Sequence, residues 1–303
     1  MSITELHPEY SAHSDQYVRC RDVIDGSDAV KSKNERYLPP LSGQSQSEYL
    51  KYKQRGLFFS VASRALSGLT GMASRRAPKL EYQDDLKPYF VDIANTGMSF
   101  NELFLEMLNE TMLMSRMFVM IDFPTSGGMP YIVTYRAEDV TNWHIEDNVL
   151  QWVVIKQKRF VFDDKDPYKR IAKTVYIKLY MDNGEYRVAT IDDRDKLVSP
   201  IVTPKVQNRT LSFIPGFFVT PNGLNTSTVK PAMLDIVDLN ICFYQLMTDY
   251  LNGLHLVAVP TPVFTGSTES DQIKLGPNNA IVMPEPTSKA FLLRVPRYRV
   301  GIS

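Results

Sequence analysis

The stretch from Ala232 to Leu254 constrains this chain more than any other. Its residues Leu234, Val237, Ile241, Phe243, Tyr244, Met247, Tyr250 and Leu251 are apolar, and no proline interrupts them. Its polar residues Asp235, Asp238, Gln245, Asp249 and Asn252 fall within roughly a 100° arc at about 100° per residue. A narrow acidic stripe on an otherwise apolar helix predicts an element packed between neighbours, with one edge left wet. It is not a membrane span, because nowhere do about eighteen consecutive apolar residues occur. Pro260-Thr261-Pro262 ends the helix, and short strands are expected at Ala280–Met283 and Phe291–Val295.

The rest of the chain supplies helices first and strands second. Residues 1–47 are polar and carry Pro39-Pro40, so they read as an extended arm with one short helix around Asp15 to Ile24. Phe58, Val61, Ala65, Leu69 and Met72 recur at helical spacing, and Gly56, Gly68 and Gly71 predict a break or a close helix contact. Ser99 followed by Glu102 is a capping-box pattern opening a helix to Met117, with Phe100, Leu103, Phe104, Met107, Leu108 and Met112 as its buried stripe. Strands are expected at Phe118–Phe123, Tyr131–Tyr135, Gln151–Phe162, Thr174–Met181 and Tyr186–Ile191, with Asn183-Gly184 as a hairpin turn. Pro200 to Lys230 reads as a long loop region holding one short apolar run, Phe217 to Val219. The fold class is α+β, with an antiparallel meander.

Composition removes several functions. Thirty-four Lys and Arg balance thirty-four Asp and Glu, so no general polycation is present. Two cysteines, Cys20 and Cys242, support neither a disulfide framework nor a four-thiolate metal site, and both read as buried or semi-buried small hydrophobes. The four histidines are scattered. His7, Glu9 and His13 lie in the polar arm, where a solvated segment outweighs a metal site. His144 reads as a structural histidine, and His255 as a cation at a helix end. Ser126-Gly127-Gly128 lacks the lysine of a phosphate loop and reads as a turn. Asp163, Asp164 and Asp166 read as a solvated hairpin tip, with a metal-dependent nuclease as the alternative. No enzyme, metal or cofactor is expected. Arg294, Arg297 and Arg299, interleaved with Tyr298, are the residues proposed to touch DNA or a partner.

Two blocks resemble a family of tailed-bacteriophage portal proteins, formerly catalogued as domain of unknown function 4055. The first contains Arg21-Asp22-Val23-Ile24-Asp25-Gly26, Tyr37-Leu38-Pro39, Tyr49 to Arg55 and Gly68-Leu69-Thr70-Gly71. The second contains Pro231 to Asn240, Asp249-Tyr250, Gly253-Leu254-His255, the Pro260–Gly266 run and Ile273 to Pro284. Together they span about residues 17–290. The resemblance implies a portal-like fold: residues 1–46 an arm, 47–230 an α+β wing, 231–254 a stem helix and 255–303 a small α/β clip. It implies a ring of roughly twelve copies at one vertex of the virion capsid, assembled in the host cytoplasm and not in a membrane. Double-stranded DNA would pass through the ring, and the terminase, major capsid protein and tail adaptors would bind it. Asp235, Asp238, Gln245, Asp249 and Asn252 would then face the channel, their acids keeping phosphate from sticking. Members of that family also carry a second stem helix and a crown, and the resemblance implies that these 303 residues stop before both. Another virion ring or adaptor protein is the competing reading.

Overall fold

The computed structural model describes residues 2–124, 128–163, 166, 168–206, 208–224, 227–258, 261–265 and 289–293. It is mixed α and β, with two compact units: Met1–Ser32 with Phe59–Ile241, and Lys33–Phe58 with Cys242–Ser303. Both units are discontinuous in sequence, so they cut across the boundaries at 46, 230 and 254 expected from the sequence.

In the first unit the arm is not extended. Helices α1 (Pro8–Asp25) and α2 (Ser27–Ser32) occupy it, and Tyr17, Cys20 and Val23 of α1 are fully buried. Spacing of three between these residues makes a thin apolar face that the surrounding polar residues hide from a compositional reading. The His7 side chain caps α1 by accepting from the Glu9 amide at 3.2 Å.

Helix α3 (Gln46–Arg55), in the second unit, and α4 (Val61–Ala73), in the first, replace the single interrupted pattern expected there. On α4 the buried residues are Ala62 and Leu66, while Val61, Leu69 and Met72 are exposed. The apolar face read from the sequence is therefore out of phase with the buried one. After the short α5 (Lys87–Val91), α6 (Phe100–Met114) opens with the full Ser99/Glu102 capping box, a device worth about 1 kcal/mol.

Strand β1 (Met117–Asp122) is the centre of a three-stranded sheet, between β2 (Tyr131–Arg136) and β9 (Gly216–Val219). The lone apolar run in the long loop region is thus a sheet strand. Gly216 is required there, because a Cβ would meet Phe118 Cζ at 2.5 Å. The second sheet is the meander β3-β4-β5-β6 (Val140–Glu146, Val149–Phe162, Arg170–Asp182, Glu185–Asp192). Asn183-Gly184 turns the last hairpin with φ of 51° and 80°, as a type I′ turn demands. Asp147-Asn148 turns the first with φ of 50° and 62°. Strand β3 was not expected, since its turn lacks glycine. A short β7 (Lys205–Val206) pairs with β8 (Arg209–Thr210).

Both sheets feed one core, in which Phe118, Met120, Trp143, Val153, Ile155, Ile177, Leu179 and Phe218 meet. The alternation of strand side chains places Trp152, Val154, Lys178 and Ile191 on the opposite face of the meander. Beyond Lys156 and before Val175, β4 and β5 pair only with each other among the described residues, as far as Phe162 and Arg170.

Helix α7 (Leu234–Ala258) begins in the first unit and ends in the second. In the second unit β10 (Thr261–Thr265) pairs with β11 (Lys289–Leu293). The strand expected at 280–283 lies outside the described residues, as do Asp164, Ser126-Gly127 and the arginines 294, 297 and 299.

Candidate assembly surface

Helix α7 has three faces. One is buried: Val237, Asn240, Ile241, Tyr244, Thr248 and Asn252. In the first unit Asn240 holds it down, accepting from the Ala62 amide and donating to the Phe59 carbonyl, both at 3.0 Å. In the second unit Tyr244 packs edge-on against Phe58. Thr248 there sits where a Cβ on Gly56 would come within 2.6 Å of its hydroxyl. Gly56 is thus a break and a close helix contact at once.

The flank of α7 carries the polar stripe, and the chain uses most of it. Asp238 pairs with Arg19 at 2.9 Å. Gln245 donates to the Tyr37 carbonyl at 2.9 Å. Asp249 accepts from the Tyr52 hydroxyl, and Asn252 accepts from Arg55 at 3.1 Å. The largely exposed Asp235 pairs with Lys230. The stripe was expected to be an unpartnered wet edge. It is instead largely a seam, because the arginines and tyrosines of α1, α3 and their flanks are long enough to reach it.

The third face, opposite the buried one, is open and apolar. Leu239 is 67% exposed, Leu246 and Tyr250 are 62% exposed, and Phe243 and Leu254 join them. These positions step by four, three, four and four, so they form one seam about 22 Å long. Cys242, expected to be at least half-buried, lies exposed at its edge. Phe243 and Tyr250 stand among the apolar residues expected to pack between neighbours, and the pattern does not say which apolar face the chain itself covers.

The polar residues suited to chemistry are engaged structurally. His7 stacks on Trp143 at 3.9 Å, and burial lowers its pKa. His13 bonds Gln16 at 3.0 Å, so the arm residues are docked on α1 and the sheet and do not form a solvated trio. His144 stacks on Trp152, and His255 accepts from Arg55 at 2.9 Å. Asp163 pairs with Lys169, and Asp166 accepts from the Tyr168 amide, so both shape the β4–β5 turn. No group of three or more metal-ligating side chains occurs among the described residues. None of the described helices is long and apolar enough to cross a membrane.

Two cations, one buried and one half-buried, were missed. Arg116 lies 3.9 Å from both the Trp143 and Phe218 rings, and burial lowers its pKa to about 10. Its signal was a single charge between the apolar runs Met112–Met114 and Met117–Ile121. Arg21 clamps Glu110 with two nitrogens, at 2.7 and 2.9 Å, and reaches Glu138 at 2.7 Å. Burial opposes its charge, but these carboxylates outweigh that and hold the guanidinium above its ordinary range.

Comparison with known proteins bears on the same helix. The family described as Domain of unknown function (DUF4055) matches residues 232–296, which contain α7, β10 and β11. That is the family the sequence resembles. The block at residues 21–71 lies outside the matched segment. No curated protein matches the chain.

Proposed function

We propose that the chain is the portal subunit of a tailed bacteriophage. It forms a ring of about twelve copies, sits at one capsid vertex, and conducts double-stranded DNA during packaging and ejection. The terminase, the major capsid protein and the tail adaptors are its partners. The observation that carries this reading is the apolar seam on α7, from Leu239 to Leu254, in the segment that matches the family. A soluble subunit that leaves such a seam open needs a neighbour to cover it. In a ring each helix would lay its open face against the next copy. Asp235 and Asp249 lie on exposed residues and would border a channel, each with one carboxylate oxygen already held, by Lys230 and by Tyr52. A smooth acidic wall repels phosphate and lets DNA slide.

The test is the double substitution Leu246→Glu and Tyr250→Glu, followed by sedimentation velocity. Both side chains are solvent-facing in the single chain, so helix content by circular dichroism should not change. The portal reading predicts that the assembled species disappears and a monomer remains. An unaltered assembly would remove the seam as the subunit contact and with it the main support for the reading.

A further inference from the structure

The β4–β5 hairpin outruns its sheet. Among the described residues, the strands from Gln157 to Phe162 and from Arg170 to Thr174 pair only with each other. A bare two-stranded ribbon is marginal in water. This one nevertheless exposes Phe160 and Phe162, at 70% and 61%, on one face. On that face it also carries Lys158 and Arg170, the latter 5.5 Å over the Phe162 ring. Lys169, Arg159 and Lys173 add further exposed positive charge.

The same face of the same sheet holds a complementary groove at its other end. Its cavity of about 380 Å3 is lined by Ile3, Trp152, Val154 and Ile191, with Glu5 and Asp195 at its rim. That volume sits at the lower end of the ~300–1,000 Å3 of ligand-sized clefts and accommodates aromatic rings. Asp195 anchors the first residues by accepting from the Ile3 amide at 2.7 Å, and Asn142 donates to the Glu5 carbonyl at 2.9 Å. Lys178 also lines the groove, and its ammonium lies 5.0 Å from the Tyr180 ring.

We propose that the β4–β5 ribbon docks into this groove on a second copy of the chain, with Phe160 and Phe162 against Trp152, Val154 and Ile191, and with Lys158 and Arg170 facing Glu5 and Asp195. The occupant cannot be the chain's own ribbon. Val154 and Phe160 belong to one continuous strand and stand about 20 Å apart along it, so the ribbon points away from its own groove. Ribbon and groove are different patches: repeated from copy to copy the contact runs head-to-tail, the kind that closes rings, whereas a reciprocal exchange would stop at a dimer. The proposal does not depend on the portal reading, since any head-to-tail assembly would satisfy it.

Cross-linking tests both and separates them. In a Cys242→Ser background, where the remaining Cys20 is buried, Phe160→Cys and Glu5→Cys chains are mixed and treated with a short bis-maleimide. The expected result is a covalent dimer from the mixture and none from either chain alone. A chain carrying both cysteines should give a ladder. A ring on a native gel with no ladder would overturn the ribbon contact and leave the portal reading standing. A ladder that stops at two copies, with no ring, would support the contact and contradict the portal. Cross-linking of Phe160→Cys with itself would overturn the head-to-tail geometry. Absence of the ladder together with loss of duplex-DNA binding in Lys158→Glu/Arg170→Glu, read by anisotropy, would reassign the ribbon to nucleic acid. A monomer without cross-links would overturn both readings.

Discussion

At the scale of single residues, stability hangs on charges brought inside and satisfied there. Arg21→Ala would leave Glu110, with its side chain 8% exposed, facing Glu138 without the cation that joins them. Breaking a buried ion pair from one side costs about 3–5 kcal/mol, and the urea midpoint of the variant should fall accordingly. Asp139 acts in the opposite sense. Burial pushes its carboxyl up to about 6, and neighbouring Glu138 adds to the rise. The folded chain therefore holds that proton more tightly than the unfolded one. Its contribution is fully present below the ordinary carboxylate range and is lost as pH rises from about 4 to about 6. Asp139→Asn should remove this slope. The gain at pH 7 should be about 1–2 kcal/mol after allowance for the water that still reaches the group, with little change at pH 4. Urea midpoints at the two pH values check this. Neither residue was legible as special in the sequence, because the network joins positions 21, 110 and 138, and only the fold sets them side by side.

At the scale of elements, the sequence was most informative where a local rule acts locally. Ser99 with Glu102 caps α6, Asn183-Gly184 turns a hairpin, and the β-branched runs became strands. It was least informative where an element has two apolar faces. On α4 the regular series Val61, Ala65, Leu69, Met72 is mostly exposed, while Ala62 and Leu66 are buried. On α7 the polar stripe was legible as a stripe, but its partners Arg19, Tyr37, Tyr52 and Arg55 come from remote segments. Periodicity identifies a face without saying what covers it. Gly56 is the exception that could be read ahead, since a glycine within a helical pattern signals a break or a close approach. Gly56→Ala should lower stability by about 1–3 kcal/mol, the range for overpacking. The Thr248 hydroxyl in its way is fully buried and already donates to the Tyr244 carbonyl at 2.7 Å. Circular dichroism during urea unfolding would show the shift.

At the scale of the whole molecule, the unusual property is how much apolar surface the folded chain leaves open: the seam of α7, the outer face of α4 and the ribbon of β4–β5. The balance of charges gives no general attraction for DNA, so passage through a channel rather than tight binding fits the composition. These surfaces lie on different elements, which suits a subunit with more than one contact. The most direct test is the native mass of the purified chain at low micromolar concentration. The account predicts a closed ring of about twelve copies, or a narrow spread of neighbouring ring sizes. A compact dimer or tetramer of fixed size would contradict it.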